Sequence, residues 1–454
     1  MELIKKNIVS IFILIVMSIL VWGRLHWYGD LRLSIANGET HSYISASRAP
    51  LFSWKIFTGE RMFTTSVLYK LANDTVACPS VAYSFPSSGT ETPREISPCF
   101  DKIVLIQNLL AVFGWVILAL AIIKRLNNGL IKFVAAITIL LFGFTPQLAE
   151  WESALGPESL SFSLFSISLA LAMELAFQLS EKEIPFKSFY EKALLTSWLI
   201  VLFLWTFVRD VQLYGILVTF GLVASLLFIK KVRVTIQFKI AVAVLLGIFI
   251  LGYVSARDSF RAALPVINAI DEYIWPHPAR VEFFKEYGMP DRDAPAYKEW
   301  ADKYAFKAYG AFLATHPGFI VTTIWEYKDY FRSDFVQAYY PADDVKNRDI
   351  LLLIGQIFHM ENFSVYLLDL LLLLTLLIGA FQHQTIDKSA WAWLALWVFG
   401  IAAVTLLLSF LGDIYGTRRH VMPGVEWFRL FFWIFLMPVL DMSLNTGTKP
   451  KATA

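Results

Sequence analysis

The chain has 454 residues, of which 57% are hydrophobic, 16% aromatic and only 17% charged. Soluble domains carry about 25% charged residues, so the composition excludes an ordinary soluble domain. The net charge of +2 gives no indication of a nucleic-acid partner. Because the apolar residues form continuous runs and do not alternate with polar ones, the chain is predicted to be a polytopic membrane protein built from helices.

Ten apolar runs are long enough to be read as transmembrane helices. In chain order they cover residues 8–25, 103–123, 130–146, 159–178, 194–208, 212–229, 239–255, 363–382, 390–411 and 425–441. The first run has a basic start and an apolar core, as a signal peptide does. However, its core is long and no small-x-small cleavage site follows it, so it is interpreted as a retained span.

The connections between alternate runs are rich in lysine and arginine, as in "KKVRVTIQFK" at 230–239. Basic loops stay on the cytoplasmic side of a membrane. The N-terminus is therefore predicted to be cytoplasmic, in a protein of the cytoplasmic (inner) membrane, with two long loops outside, at about 26–102 and 256–362. The outer segment "YGTRRHVMPG", residues 415–424, is basic against this rule, which indicates a role for its charges.

The two long loops divide the sequence into three parts, at 1–255, 256–362 and 363–454. The first part contains a loop segment of mixed apolar and charged residues, which is typical of interfacial helices. Aromatic residues recur at three- and four-residue intervals in the second part, which predicts a helical cap outside the cytoplasm. The third part contains the last spans and a cytoplasmic tail. The predicted fold class is all-α, a transmembrane bundle of about ten spans with interfacial helices and a cap.

The two cysteines of the sequence, Cys78 and Cys99, both lie in the first outer loop, within a stretch rich in proline and serine. Disulfides form in oxidising compartments outside the cytoplasm. A Cys78–Cys99 bridge that staples the loop is therefore predicted, and no chemistry is assigned to it.

Charged residues gather where the predicted spans reach the outer face, after the first, third, fifth and ninth runs. They are Asp30 and Arg32; Glu150, Glu152 and Glu158; Arg209 and Asp210; and Arg418, Arg419 and His420. Charge that faces lipid is unfavourable, so we expect these groups to share a water-filled cavity and to pair there. Simpler interpretations stay open: helix capping, solvated loop charges, a local turn pair, or contact with lipid head groups.

Acids and arginines together suit a particular chemistry. A carboxylate can act as general base for a hydroxyl nucleophile, and arginines bind phosphate bidentately. Such a set inside a membrane cavity favours a substrate with a lipid tail and a phosphate head. Since nucleotide sugars are absent outside the cytoplasm, a sugar used there must arrive on a lipid.

The topology and two motifs, "YGDLRLSIANGETHSY" and "WESALGPESLSFSL", resemble the GT-C superfamily of integral-membrane glycosyltransferases over most of the chain. The segment "RRHVMPG" is similar to an Arg-His-x-x-Pro signature of bacterial GT-C-like proteins. The resemblance implies that Asp30 is the catalytic base and that Glu152 or Glu158 is the second acid. From the charges at the span ends, the predicted substrate-binding residues are Arg32, Glu150, Arg209, Asp210, Arg418, Arg419 and His420. Some members carry paired acids in the first loop, where this sequence has a lone aspartate.

The implied activity is transfer of a sugar from a polyprenyl-phosphate donor to an extracytoplasmic glycan, lipid or protein, with inversion at the anomeric carbon. No cofactor is indicated, and "DRD" at 291–293 is not interpreted as a metal site, although a divalent metal is not excluded. A polysaccharide polymerase or ligase that acts on lipid-linked glycans is the nearest alternative. A transporter or flippase and a purely structural membrane partner are the others.

Overall fold

The computed structural model describes residues 2–36, 39–72, 81–83, 94–181, 186–259, 261, 263–336, 347–383, 386–412 and 417–445. The helices are, in chain order, α1 (Glu2–Trp27), α2 (Thr40–Ser47), α3 (Phe63–Ala72), α4 (Asp101–Arg125), α5 (Gly129–Phe144), α6 (Pro146–Ala149), α7 (Glu158–Glu181), α8 (Phe189–Thr206), α9 (Gln212–Ser225), α10 (Lys230–Arg233), α11 (Ile236–Asp258), α12 (Ala263–Tyr273), α13 (Pro278–Glu286), α14 (Ala296–Trp300), α15 (Phe306–Thr315), α16 (Pro317–Glu326), α17 (Arg348–Phe358), α18 (Ser364–His383), α19 (Ile386–Gly412) and α20 (Thr417–Asn445). Three short strands are also present, β1 (Ile35–Ala36), β2 (Val81–Tyr83) and β3 (Arg94–Ile96), together with several short 3₁₀ turns.

The transmembrane helix bundle predicted from the sequence is confirmed. Within the described residues, eight helices are long and apolar enough to cross a membrane, and the pair Gly129–Phe144 and Pro146–Ser153, bent by 42°, makes a ninth. The apolar helix Gln212–Phe228 falls short of that length. The predicted number of about ten therefore becomes eight or nine, because Pro146 interrupts the third run and the sixth run is too short.

The central helix of the bundle is α7, which is buried along almost its whole length, whereas α1 exposes most of its surface. Small residues allow close helix approach in membranes, and α7 carries a series of serines. A Cβ on Gly114 of α4 would lie 2.9 Å from the carbonyl oxygen of Ser163. That contact is too short for any side chain, so the glycine permits α4 and α7 to pack directly together.

The bundle has two distinct ends. At the end that we name the loop end, α1, α5, α8, α11 and α19 finish and α4, α7, α9, α18 and α20 begin. The opposite end is held by Arg125, which contacts Glu174 and Glu181 at 2.9 and 2.7 Å. There the carboxylate of Asp441 also accepts the backbone N–H groups of Asn127 and Asn128.

The first loop contains a small antiparallel sheet, with strand order β1-β3-β2, that the sequence analysis did not predict. Strands of two or three residues are too short to show the alternation of apolar and polar residues from which a strand is predicted. The backbone of this loop also reaches the segment before α7, since Ile35 O accepts the N–H of Leu155 at 2.9 Å. This contact brings the residues that follow β1 alongside the start of α7. Helix α3 lies in the loop segment predicted to form interfacial helices, whereas α2 precedes that segment.

The second loop forms helices α12 to α16 around its own hydrophobic cluster, which includes Ile270, Phe284 and Phe312. This cap lies on the loop end, because the hydroxyl of Tyr309 donates to the carbonyl of Leu411 at 2.7 Å. A π-helical segment, Ala301–Ala305, joins α14 and α15. The predicted helical cap is confirmed.

Cys99 lies in the 3₁₀ turn Pro98–Phe100 that leads into α4, and it is disulfide-bonded. The other cysteine of the sequence is Cys78, which lies outside the described residues. The predicted Cys78–Cys99 pairing stays a prediction.

Candidate active site

A buried ion pair joins two distant helices at the loop end. Glu158, at the first turn of α7, is 1% exposed, and its Oε1 lies 2.5 Å from Nε of Arg419 at the start of α20. Arg209 Nη1 lies 3.7 Å from the same carboxylate oxygen. Gln212 orients the turn that carries Arg209, since its side chain accepts the Arg209 N–H and donates to Ser161 of α7. The carboxylate therefore faces two guanidinium groups.

The first loop supplies a second carboxylate to this group, from Glu39. Its Oε2 lies 3.1 Å from Arg419 Nη1 and 3.5 Å from Arg61 Nη2. Glu39 occupies the N-cap position of α2 but makes no side-chain capping bond, so its carboxylate is directed to the arginines. We name the five residues Glu39, Arg61, Glu158, Arg209 and Arg419 the loop-end cluster.

A tyrosine borders the loop-end cluster. The Arg61 guanidinium stacks 4.5 Å above the ring of Tyr43 on α2. Burial raises the pKa of the Tyr43 phenol, and the positive charges of Arg419 and Arg61 oppose that shift only in part. The phenol therefore keeps its proton near neutral pH and remains a hydrogen-bond donor beside the arginines.

The absence of a side chain at Gly156 leaves space for the Glu158 carboxylate. A Cβ at position 156 would collide with Glu158 Oε2 and would lie 3.3 Å from Arg419 Nη2. Glu158 Oε2 is buried and, among the described residues, has no hydrogen-bond partner. The loop-end cluster thus presents an unsatisfied acceptor beside its arginines.

The charges of the loop-end cluster do not balance. Three guanidinium groups face two carboxylates, which leaves one positive charge in excess. The two acids also differ in access, because the side chain of Glu39 is 39% exposed and that of Glu158 is 1% exposed. The arrangement can attract an anionic group and offers one carboxylate that a bound molecule can reach.

The structure does not bring Asp30 or Arg32 into the loop-end cluster. Asp30 is exposed, and its carboxylate accepts the backbone N–H of Arg32 at 2.9 Å, a local turn contact. Both residues interact electrostatically with Asp101 at the start of α4. Strand β1 follows Asp30 and Arg32 in the chain, and Glu39 lies beyond this strand. Glu39 is therefore the acid of the first loop that pairs with Arg419.

The other two acids before α7 have partners of their own. Glu150 forms a two-bond ion pair with Arg348 of α17, at 2.6 and 3.0 Å. Glu152 is buried and accepts a short hydrogen bond from the hydroxyl of Ser159. Glu150 is therefore held away from the loop-end cluster. Glu152 lies closer to it, because its hydrogen-bond partner Ser159 directly follows Glu158 in the chain.

Arg209 and Asp210, adjacent in sequence, do not pair with each other. Asp210 Oδ1 lies 3.1 Å from Nε of Arg261, which follows α11. Arg261 also donates to the carbonyl oxygens of Phe57 and Gly59. Asp210 thus belongs to a clamp that fixes the first loop, while Arg209 belongs to the loop-end cluster.

The remaining predicted residues lie at the start of α20. The side chain of Arg418 lies outside the described part of the structure. His420 is partly exposed, next to Arg419. Of the basic segment 415–424, Arg419 therefore carries the described ion pairs of the loop-end cluster.

A second buried ionic group was not predicted from the sequence. Glu426 Oε2 lies 2.5 Å from Nδ1 of His359, and Glu426 Oε1 lies 2.5 Å from Nη1 of Arg429; all three residues are 0% exposed. Arg429 also donates to the carbonyls of Met360 and Ser333. The available signal was the presence of Glu426 and Arg429 inside the predicted run 425–441. No sequence signal marked Glu39, Arg61 and Tyr43 of the first loop, because polar residues are common in loops.

Across the described ranges, no group of three or more His, Cys, Asp or Glu side chains is placed to hold a metal ion.

No family model matches this chain, and no curated protein matches it. Among solved structures, the chain is similar to that of the archaeal oligosaccharyltransferase AglB from Archaeoglobus fulgidus in complex with an inhibitory peptide and a dolichol-phosphate, at 12% sequence identity and a TM-score of 0.44. The similarity covers 99% of this chain and 53% of the AglB chain. This chain therefore spans about half the length of that protein.

Proposed function

We propose that this protein is a GT-C type glycosyltransferase that moves a sugar from a polyprenyl-phosphate donor to an acceptor outside the cytoplasm. The loop end, in this proposal, faces away from the cytoplasm in a bacterial inner membrane. The observation that carries the proposal is the loop-end cluster, in which the first loop, α7, the α8–α9 turn and α20 bring two acids and three arginines together.

Glu39 is the proposed general base. A base must reach the proton that it removes, and Glu39 is the more exposed of the two acids of the loop-end cluster. It takes the proton of the acceptor hydroxyl while the acceptor oxygen bonds to the anomeric carbon of the sugar. The bond from that carbon to the phosphate oxygen breaks on the opposite side, so the configuration inverts.

Arg209 and Arg419 are the proposed phosphate-binding groups. The leaving polyprenyl phosphate gains negative charge as the bond breaks, and prearranged guanidinium groups stabilise charge that develops in the transition state. Glu158 positions both arginines, since its carboxylate contacts each of them. Asp30, the base expected from the family resemblance, is retained as the competing assignment.

One observation favours a second candidate, a transporter. Ionisable residues inside spans mark ion or substrate pathways, and α20 holds Glu426 and Arg429 while α18 holds buried Asp369. Glu426 is already paired with Arg429 and His359, as a structural group would be. The large cap and the exposed acid of the loop-end cluster favour the transferase.

The test uses purified full-length protein in vesicles with a radiolabelled polyprenyl-phosphate sugar and a panel of glycan, lipid and peptide acceptors. Transfer of label to an acceptor, with release of polyprenyl phosphate, is the expected result. Products of block length would indicate a polymerase or ligase instead. Uptake or flipping of the labelled lipid without any covalent product would overturn the proposal in favour of transport.

A further inference from the structure

An apolar cavity lies at the opposite end of the bundle, away from the loop-end cluster. Its volume is about 340 Å³, and it lies between α7, α8, α9, α11 and α19. The larger side chains that line it include those of Leu175, Leu179, Trp198, Phe186, Phe238 and Trp393. Alanines at positions 172, 176, 241 and 390 leave the space between them open.

The composition of the cavity wall selects an apolar occupant. Cavities lined by apolar side chains do not hold water well, because a buried water needs two to four polar partners. The volume lies within the range of ordinary ligand pockets, about 300–1,000 Å³. In a membrane protein the abundant molecule of this character is a lipid chain.

Three cations stand beside the cavity. Ile229, Val232 and Phe238 line it, and each is followed directly by a basic residue. These residues, Lys230, Arg233 and Lys239, are exposed, and none forms an ion pair within the described part of the chain. Positive charge next to an apolar cavity at a helix end matches a lipid whose head group is anionic.

The segment that carries these cations has the character of a membrane interface. Phe228 is 91% exposed and Val234 is 70% exposed, on either side of the short helix α10. Apolar residues interleaved with cations are typical of segments that lie in the head-group region. We therefore expect the cavity and the cations to lie at the depth where an acyl chain joins its head group.

We propose that this cavity binds one acyl chain of an anionic glycerophospholipid, whose phosphate is held by Lys230, Arg233 and Lys239. The polyprenyl tail of a donor is the competing occupant. In the proposed reaction the donor phosphate lies at the loop end, whereas the cations next to the cavity favour an anion at the opposite end. The site is thus separate from the site of the proposed transfer reaction, and the choice of a phospholipid over the donor tail rests on that proposed function.

The experiment measures lipid binding to purified, delipidated full-length protein by native mass spectrometry. The probes are phosphatidylglycerol and phosphatidylcholine with identical acyl chains. One variant, K230Q/R233Q/K239Q, removes the charges and leaves the cavity intact. The matched control, K285Q/K307Q/R332Q, removes three charges from the cap. A second variant, A176F, fills the cavity, and V244F adds the same ring on the exposed face of α11.

We expect wild type to bind phosphatidylglycerol in preference to phosphatidylcholine. The triple variant should weaken phosphatidylglycerol binding by roughly a hundredfold, at about fivefold per lost charge, and the cap control should not. A176F should lose the bound phospholipid while V244F retains it. Equal binding of the two lipids by wild type, or unchanged binding by the triple variant, would overturn the proposal. Photocrosslinking of a polyprenyl phosphate to Trp393, in competition with phosphatidylglycerol, would assign the cavity to the donor tail.

Discussion

The guanidinium of Arg419 contacts the carboxylate of Glu158 at 2.5 Å, although 261 positions separate the two residues in the chain. The carboxylate is 1% exposed, so its negative charge is removed from water. Arg419 supplies the main interaction that offsets this loss of solvation. Arg209, at 3.7 Å, is too far for a hydrogen bond. The pair therefore couples the start of α20 to the start of α7, and the geometry of the loop-end cluster depends on it.

The first prediction concerns the stability that this ion pair contributes. Arg419→Gln leaves a buried carboxylate without its main partner, and breaking a buried pair from one side costs about 3–5 kcal/mol. Glu158→Gln/Arg419→Gln should cost less than Arg419→Gln alone, since no charge is left unpaired. Thermal unfolding of the purified variants measures both effects.

The control for this prediction is the exposed pair Glu299–Lys303 on the cap, with its atoms 2.7 Å apart. Solvent screens such a pair, so Lys303→Gln should leave the unfolding temperature unchanged. If the double variant at 158 and 419 were less stable than Arg419→Gln, the pair would not be the source of the stability.

The bundle could be predicted from the sequence because its signal is local. Each long helix coincides with a continuous apolar run, and composition alone identifies such runs. The interruption at Pro146 was also readable in principle, since proline lacks the N–H that the helix needs. The small sheet was not, because strands such as Ile35–Ala36 are too short to show alternation.

The site could be predicted only in part, because its contacts are between residues distant in the chain. Acids and arginines near span ends were recognised, and Glu158, Arg209 and Arg419 do meet. The pairing of Glu150 with Arg348, 198 positions away, has no local signature. Glu39 was missed because Asp30 lies nearer to the first span, whereas a backbone contact from Ile35 to Leu155 decides which acid reaches the arginines.

The second prediction separates the two candidate bases of the first loop. Glu39→Gln should lower transfer by about 10²–10⁴-fold, the usual contribution of general base catalysis. Asp30→Asn should retain activity, because its carboxylate is engaged in a local turn. The measurement is the initial rate of sugar transfer at saturating donor. An inactive Asp30→Asn with an active Glu39→Gln would return the role to Asp30.

The third prediction uses the room that Gly156 provides. Gly156→Ala places a methyl group against Glu158 Oε2, so the carboxylate must move and the arginines with it. We expect transfer to fall at least tenfold and stability to fall by about 1–3 kcal/mol, as for an overpacked site. Rates and unfolding temperatures of the same preparation show whether both change together.

Gly310 provides the matched glycine. It lies within α15, and no heavy atom is within 4 Å of a Cβ built there. Gly310→Ala should leave transfer unchanged and should stabilise the helix by about 0.5–1 kcal/mol. Equal loss of transfer in both variants would mean that the Gly156 result reflects a general effect of an added methyl group and not its contact with Glu158.

The last prediction concerns the buried group of His359, Glu426 and Arg429. Glu426→Ala removes the carboxylate that contacts both neighbours at 2.5 Å. Arg429 is then a buried cation without a paired carboxylate among the described residues, and it keeps two backbone carbonyls and the ring of Phe335. Stability should fall by about 3–5 kcal/mol. Glu426→Gln keeps the side-chain volume and one acceptor oxygen, so its loss of stability should be intermediate. Glu286→Ala, on the exposed face of α13, should leave the stability unchanged. If Glu426→Gln abolished transfer with an unchanged unfolding temperature, the group would act in the mechanism and its structural assignment would be wrong.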